Sequence, residues 1–143
     1  MELSEISGVL GGKKAFEGVI ASRLDLLDFS NKGLTKEALL HLAKHLRLSL
    51  SQMAEMLPVT ERTIQRYRRS HRFNRIVSEH ILQIAEVVVR GEEVFGDRER
   101  FSSWLRTPSP ALRNRTPASL LNSRFGNEIV LEELGRIDHG IVS

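Results

Sequence analysis

Leu50-Ser51-Gln52-Met53-Ala54-Glu55-Met56-Leu57-Pro58-Val59-Thr60-Glu61-Arg62-Thr63-Ile64-Gln65-Arg66-Tyr67-Arg68-Arg69 is the segment on which the architecture turns. Leu50, Met53, Ala54 and Leu57 recur at helical spacing, and Ser49 with Gln52 has the pattern of a capping box that would start this first helix. Pro58-Val59 breaks the pattern. Thr60 then suits the N-cap of a second helix running through Arg69, with Ile64 and Tyr67 facing inward. Ala54 is small where two crossing helices would touch, and Val59 and Ile64 would fill the corner between them. The outward side chains of the second helix are Thr60, Glu61, Arg62, Gln65 and Arg66, and Arg68, Arg69, Arg72 and Arg75 extend the same basic face.

This helix pair resembles the helix-turn-helix of Xre-type, phage-repressor-like proteins. In that geometry the second helix lies in the major groove, where arginine pairs with guanine edges and glutamine with adenine. Arg62 and Arg66 are the expected base readers, and Arg68 and Arg69 the expected phosphate contacts. One position departs from the family: Pro58 stands where a glycine is usual. Proline fixes φ near −65°, so the turn must close in another way. The alternative reading is an ordinary helical hairpin with a solvated arginine face.

The charge distribution leans towards nucleic acid. Net charge over the 143 residues is only +3. Counted along the sequence, residues 1–47 carry seven Lys/Arg against six Asp/Glu, residues 48–75 six against two, and residues 76–143 eight against ten. The excess of four positive charges therefore sits in and just beyond the helix pair, and the C-terminal half is slightly acidic. Hydrophobic residues at 41% are enough to build a core. The absence of cysteine removes disulfides, thiolate metal sites and thiol nucleophiles. Apolar runs of only a few residues, and an acidic start at Met1-Glu2-Leu3-Ser4-Glu5, argue against a membrane span or a signal peptide, so a cytoplasmic protein is expected.

Working outward, Phe16, Ile20, Leu24 and Leu27 suggest a first helix over 13–27, closed by Asn31-Lys32-Gly33. Thr35 would cap a helix burying Leu39, Leu42, Ala43 and Leu46. After the central pair, Val77, Ile81, Ile84, Ala85 and Val88 line one face of a long helix reaching Gly91 or Phe95, apolar enough to contribute to a dimer contact. Asp97 would cap a helix holding Phe101, Trp104 and Leu105, stopped by Thr107-Pro108-Ser109-Pro110. Thr116-Pro117 restarts a helix, Gly126 precedes the last one with Val130, Leu134 and Ile137 aligned, and Gly140 ends it. The expected fold is mainly α: an N-terminal repressor-like helix-turn-helix lobe over residues 1–72, with the helix pair at about 49–69, followed by a small helical domain over 73–143. The boundary is expected near residues 70–75.

Five ordered motifs in the second half carry the most specific signal. They are Val94-Phe95-Gly96-Asp97, Trp104-Leu105-Arg106-Thr107-Pro108-Ser109-Pro110-Ala111-Leu112, Arg115-Thr116-Pro117, Gly126, and Leu134-Gly135-Arg136-Ile137-Asp138-His139-Gly140. From about Phe73 onward the chain resembles the toxin-binding domain of Xre/ParS-like antitoxins, which are paired with RES-domain toxins, and the preceding helices fit the same family. The resemblance implies a type II antitoxin that binds its toxin directly and represses its own operon through the N-terminal helices. RES toxins act on NAD, degrading it or using it to modify a target. The antitoxin's C-terminal end is implied to lie at or near the toxin's active-site cleft, which points to Arg136, Asp138, His139, Gly140, Ile141 and Ser143. Arg113-Asn114 departs from the family, where two glycines are frequent.

The residues themselves permit plainer readings. Trp104, in phase with Phe101 and Leu105, suits a core, and so do Leu134 and Ile137. Arg136, Asp138 and His139 lie off that face, where a solvated helix end is the alternative to a partner contact. His41 and His45 lack a third metal ligand. Gly8-Val9-Leu10-Gly11-Gly12-Lys13-Lys14 has the wrong glycine spacing for a phosphate loop, and no carboxylate pair has a spacing that argues for acid–base work. No enzyme, metal or cofactor is expected. The expected partners are a cognate RES-domain toxin and double-stranded operator DNA, with a homodimer inside a toxin–antitoxin hetero-oligomer. The competing function is a stand-alone Xre-like transcription regulator whose C-terminal half dimerises or senses a ligand.

Overall fold

Local capping signals set most of the helix starts. The structure, a computed structural model, describes residues 3–16 and 18–140. In chain order the helices are α1 Ser4–Val9, α2 Arg23–Lys32, α3 Lys36–Leu46, α4 Leu50–Glu55, α5 Glu61–Arg66, α6 Arg75–Phe95, α7 Arg98–Leu105 and α8 Arg124–Asp138. Short 3-10 turns occur at Gly12–Lys14, Pro110–Leu112 and Pro117–Leu120. Among the described residues the only β-type pairings are two isolated bridges, Thr35 with Arg72 and Ser109 with Arg115. The fold is mainly helical, with no helix among the described residues long and apolar enough to cross a membrane.

The chain divides into two compact units, one ending at Glu86 and the other starting at Val87. The division falls inside α6. The 21-residue helix buries Val77, Ile81, Ile84 and Ala85 in the unit ending at Glu86 and Val88 in the unit that follows.

In the unit ending at Glu86, the helix expected over 13–27 does not form. Gly18 has φ of 140°, outside helical geometry, and the Asp25 carboxylate accepts hydrogen bonds from the Ala21 and Ser22 backbone N–H groups at 2.8 and 3.0 Å, starting α2 at Arg23. Phe16 and Ile20 are still buried, but from irregular backbone. Leu24 and Leu27, expected inward, are 70% and 51% exposed. Thr35 caps α3 through the Ala38 N–H at 3.2 Å. The expected face of Leu39, Leu42, Ala43 and Leu46 is buried. The buried Ser78 hydroxyl accepts from the Leu34 N–H at 2.9 Å and donates to the Phe73 carbonyl at 3.2 Å, tying α6 to the start of the α2–α3 connection.

In the unit from Val87 onward, Asp97 caps α7 by accepting from the Glu99 N–H at 2.9 Å. Phe101 and Leu105 are buried, while Trp104 is half-buried between Phe95 and Phe101, with ring centroids 5.5 and 6.2 Å away. The last helix starts earlier than Gly126. Ser123 is its cap, accepting from the Gly126 N–H at 3.0 Å, and Gly126 lies in its first turn. A Cβ there would sit 1.7 Å from the Leu120 carbonyl oxygen, so Gly126 is the point where α8 presses on the 3-10 turn before it.

Candidate functional site

The helix pair forms as its caps dictate. The Ser49 hydroxyl accepts from the Gln52 N–H at 3.1 Å while Gln52 Oε1 accepts from the Ser49 N–H at 2.8 Å, the reciprocal capping box that opens α4. Thr60 Oγ1 accepts from the Thr63 N–H at 3.2 Å and donates to Thr63 Oγ1 at 2.9 Å, opening α5. Met53 and Ile64 are fully buried, and Leu57 nearly so, which fixes the crossing of the two helices. Left-handed φ values occur elsewhere in the chain but not at Pro58. The turn closes instead through the Met56 N–H to the Met53 carbonyl and the Leu57 N–H to the Ala54 carbonyl.

The second helix is shorter than expected, ending at Arg66 rather than Arg69. Tyr67 leaves it with an extended backbone and stacks on His71 at a centroid distance of 3.6 Å. The cause lies in α3. The first N–H groups of a helix have no partner within it, and here the Lys36 N–H donates to the His71 carbonyl and the Glu37 N–H to the Arg69 carbonyl, each at 2.9 Å. The Phe73 N–H completes the attachment by donating to the Leu34 carbonyl at 2.8 Å. Residues 67–73 are thus drawn off as a strap across the N-terminal end of α3.

This splits the predicted basic face. Thr60, Arg62, Gln65 and Arg66 are exposed and Glu61 is half-buried on or beside α5, with Gln65 donating to Glu61 at 3.4 Å. The Thr60 hydroxyl is committed to capping. Arg68 and Arg69 are exposed on the strap. Arg69 pairs with Glu37 at 2.9 Å, and Glu37 also meets His41 Nε2 at 3.3 Å. Arg72 donates to the Gly33 carbonyl at 2.7 Å, and Arg75 pairs with Glu79 at 3.5 Å. Arg62, Arg66 and Arg68 have no hydrogen-bond or ion-pair partner among the described residues, which leaves their guanidinium groups available.

At the other end of the chain, α8 carries a buried carboxylate that the sequence reading did not single out. Glu133 is fully buried. Arg136 donates to its Oε2 from Nη2 at 2.9 Å and from Nε at 3.2 Å, and Glu133 Oε1 is buried with no hydrogen-bond partner. Arg136, expected to face a partner, is therefore engaged within its own helix. Asp138 is paired with Arg90 of α6 at 3.1 Å. His139 and Gly140 are exposed at the helix end, and Ile141 and Ser143 lie outside the described residues. The missed surface feature is apolar: Phe125 and Ile129, four residues apart on α8, are 79% and 42% exposed. Their spacing was legible, but the phase of α8 was not until its start at Ser123 was known.

Arg113 and Asn114 adopt φ of 56° and 63°. The loop keeps a glycine-type backbone with larger side chains. It closes through the Asn114 N–H to the Ser109 carbonyl at 2.8 Å and the Ser109 N–H to the Arg115 carbonyl at 3.0 Å.

Residues 25–86 match the family model of the antitoxin Xre-like helix-turn-helix domain, and residues 90–140 that of the antitoxin Xre/MbcA/ParS C-terminal toxin-binding domain. An antitoxin Xre of Yersinia enterocolitica is 35% identical over 105 residues, covering 69% of this chain and 70% of that protein. The chain belongs to the Xre antitoxin family. A second antitoxin Xre, from Photorhabdus laumondii, is 34% identical over 67 residues, covering 46% of this chain and 45% of its own. The fold is similar to a chain of the M. tuberculosis MbcT–MbcA toxin–antitoxin complex, with a TM-score of 0.57 at 20% identity over 71% of this chain and 90% of that one. As an Xre-family antitoxin, the protein combines a helix-turn-helix domain with a toxin-binding domain, and the two matches meet close to the division after Glu86.

Proposed function

We propose that this antitoxin neutralises a RES-type toxin that consumes or uses NAD, and represses its own operon by binding operator DNA as a homodimer in the cytoplasm. The observation that carries the reading is the toxin-binding-domain match over 90–140 in a chain whose helix-turn-helix presents unpaired Arg62 and Arg66. On the DNA side, Arg62 and Arg66 with Gln65 read base edges, and Arg68 and Arg69 hold phosphates from the strap. Arg69 does so while keeping Glu37, since its guanidinium has donors beyond the one that the ion pair uses. On the toxin side, His139, Gly140 and the residues after them approach the cleft. Phe125 and Ile129 supply an apolar anchor of the kind that dominates interface energetics.

Expressing a cognate RES-type toxin with and without the chain tests this directly through growth and cellular NAD. The intact chain restores both. Phe125→Glu is expected to lose neutralisation while still binding operator DNA. Arg62→Ala with Arg66→Ala is expected to neutralise fully while losing operator preference. Equal losses of the arginine variant on operator and random duplex would show that these side chains do not read bases. Full neutralisation by Phe125→Glu would remove α8's apolar face from the toxin contact.

A further inference from the structure

A pocket of about 340 Å³ lies between the segment Ala15–Phe16, the α2–α3 connection and the strap, within the unit ending at Glu86. One wall is apolar: Phe16 and Phe29, whose ring centroids are 4.5 Å apart, with Leu34 beside them. The pocket is also cationic. Lys32, Arg69 and Arg72 line it, and among the described lining residues Glu37 is the only carboxylate, already engaged by Arg69 and His41. Lys32, in the last turn of α2, has no partner among the described residues. Arg69 and Arg72 each bond through a single Nη1 group, and a guanidinium has five N–H donors, so both keep donors for a further acceptor. The lining is held by the protein's own contacts: the Thr35–Arg72 bridge, the Arg72 bond to the Gly33 carbonyl and the Arg69–Glu37 pair fix the strap beside α3.

We propose that this cavity binds a small organic anion with an apolar body. The rings and Leu34 take the body, and Lys32 with the spare donors of Arg69 and Arg72 takes the anionic group. The volume lies at the small end of ligand pockets, which suits a single ring or a short chain and not a dinucleotide. A charge-assisted contact at Lys32 makes the anion necessary, and the aromatic wall makes the body necessary.

The test follows backbone amide resonances of the full chain during titration with benzoate and with octanoate, beside benzyl alcohol as a neutral analogue and inorganic phosphate as an anion without a body. At least one carboxylate is expected to give saturable shifts confined to residues 15–16, 29–37 and 69–72. Benzyl alcohol and phosphate are expected to bind about tenfold more weakly. Lys32→Met, a change at an exposed position, is expected to weaken the carboxylate about fivefold while leaving the rest of the spectrum in place. Absence of saturable shifts with either carboxylate at ~10 mM, shifts centred elsewhere, equal binding of benzyl alcohol, or an unchanged affinity in Lys32→Met would each overturn the proposal. None of these readouts depends on DNA or toxin.

Discussion

Gly126 and Arg113 show how a single backbone position can reverse the ordinary expectation for a substitution. Glycine inside a helix usually costs roughly 0.5–1 kcal/mol relative to alanine. At Gly126 a Cβ would meet the Leu120 carbonyl oxygen at 1.7 Å, and backbone cannot step aside as a side chain can. Gly126→Ala is therefore expected to destabilise the protein by about 1–3 kcal/mol. A denaturant midpoint that rises would show that α8 and the turn before it are not in close contact. Arg113 works in the opposite sense. It is exposed at φ of 56°, a conformation costing non-glycine residues about 1–2 kcal/mol. Arg113→Gly is expected to raise the unfolding free energy by about 1 kcal/mol, less whatever the glycine adds to the entropy of the unfolded chain. An unchanged or lower midpoint would contradict the strain.

Among the elements, α8 depends on an internal ion pair. Removing the Arg136 guanidinium leaves the buried Glu133 carboxylate without its donors, so Arg136→Ala is expected to cost about 1–3 kcal/mol. Pairing it with Glu133→Leu should recover part of that loss, because the stranded charge goes with it. Strict additivity in the double-mutant cycle would mean that the two side chains do not interact. The same pair changes how truncations are read. Removing residues 136–143 also strips Glu133 of its partner, whereas removing 139–143 leaves the pair intact and isolates the contribution of the chain end to toxin neutralisation. A comparable dependence holds at the start of α6. Ser78→Ala leaves the buried Leu34 N–H without its acceptor, and a loss of about 1–3 kcal/mol by chemical denaturation is expected. Helix starts were largely legible because caps are local: Thr35, Ser49, Thr60 and Asp97 act as read from the sequence, whereas Thr116, expected to restart a helix, caps only the 3-10 turn Pro117–Leu120. The segment 13–27 was misread because Phe16 and Ile20 are four apart and buried, which imitates a helical face on irregular backbone.

At the scale of the whole molecule, the apolar residues of α6 once expected to supply a dimer contact are buried within the chain. Leu24 and Leu27, three residues apart on α2, are exposed large apolar side chains of the N-terminal unit, as are Val19 and Ile76, and the proposed homodimer would set the α2 pair against a second copy. Leu24→Glu with Leu27→Glu is expected to convert a dimer to a monomer by light scattering, with helicity unchanged. A wild-type chain monomeric at micromolar concentration, alone and with operator DNA, would remove the dimer. The helical class, most of the caps, the helix-turn-helix and the antitoxin family were legible along the chain, because each rests on contacts within a few residues or on motifs kept in order. Packing between distant segments set the stop of α5 at Arg66 and the division after Glu86. It also gave Arg136 to Glu133, and brought Lys32, Arg69 and Arg72 to one pocket with Phe16 and Phe29. Each of these follows from partners distant in sequence or from the phase of a helix: the α3 N–H groups take the carbonyls of Arg69 and His71, more than 30 residues away, and helical periodicity carries no record of such a pairing.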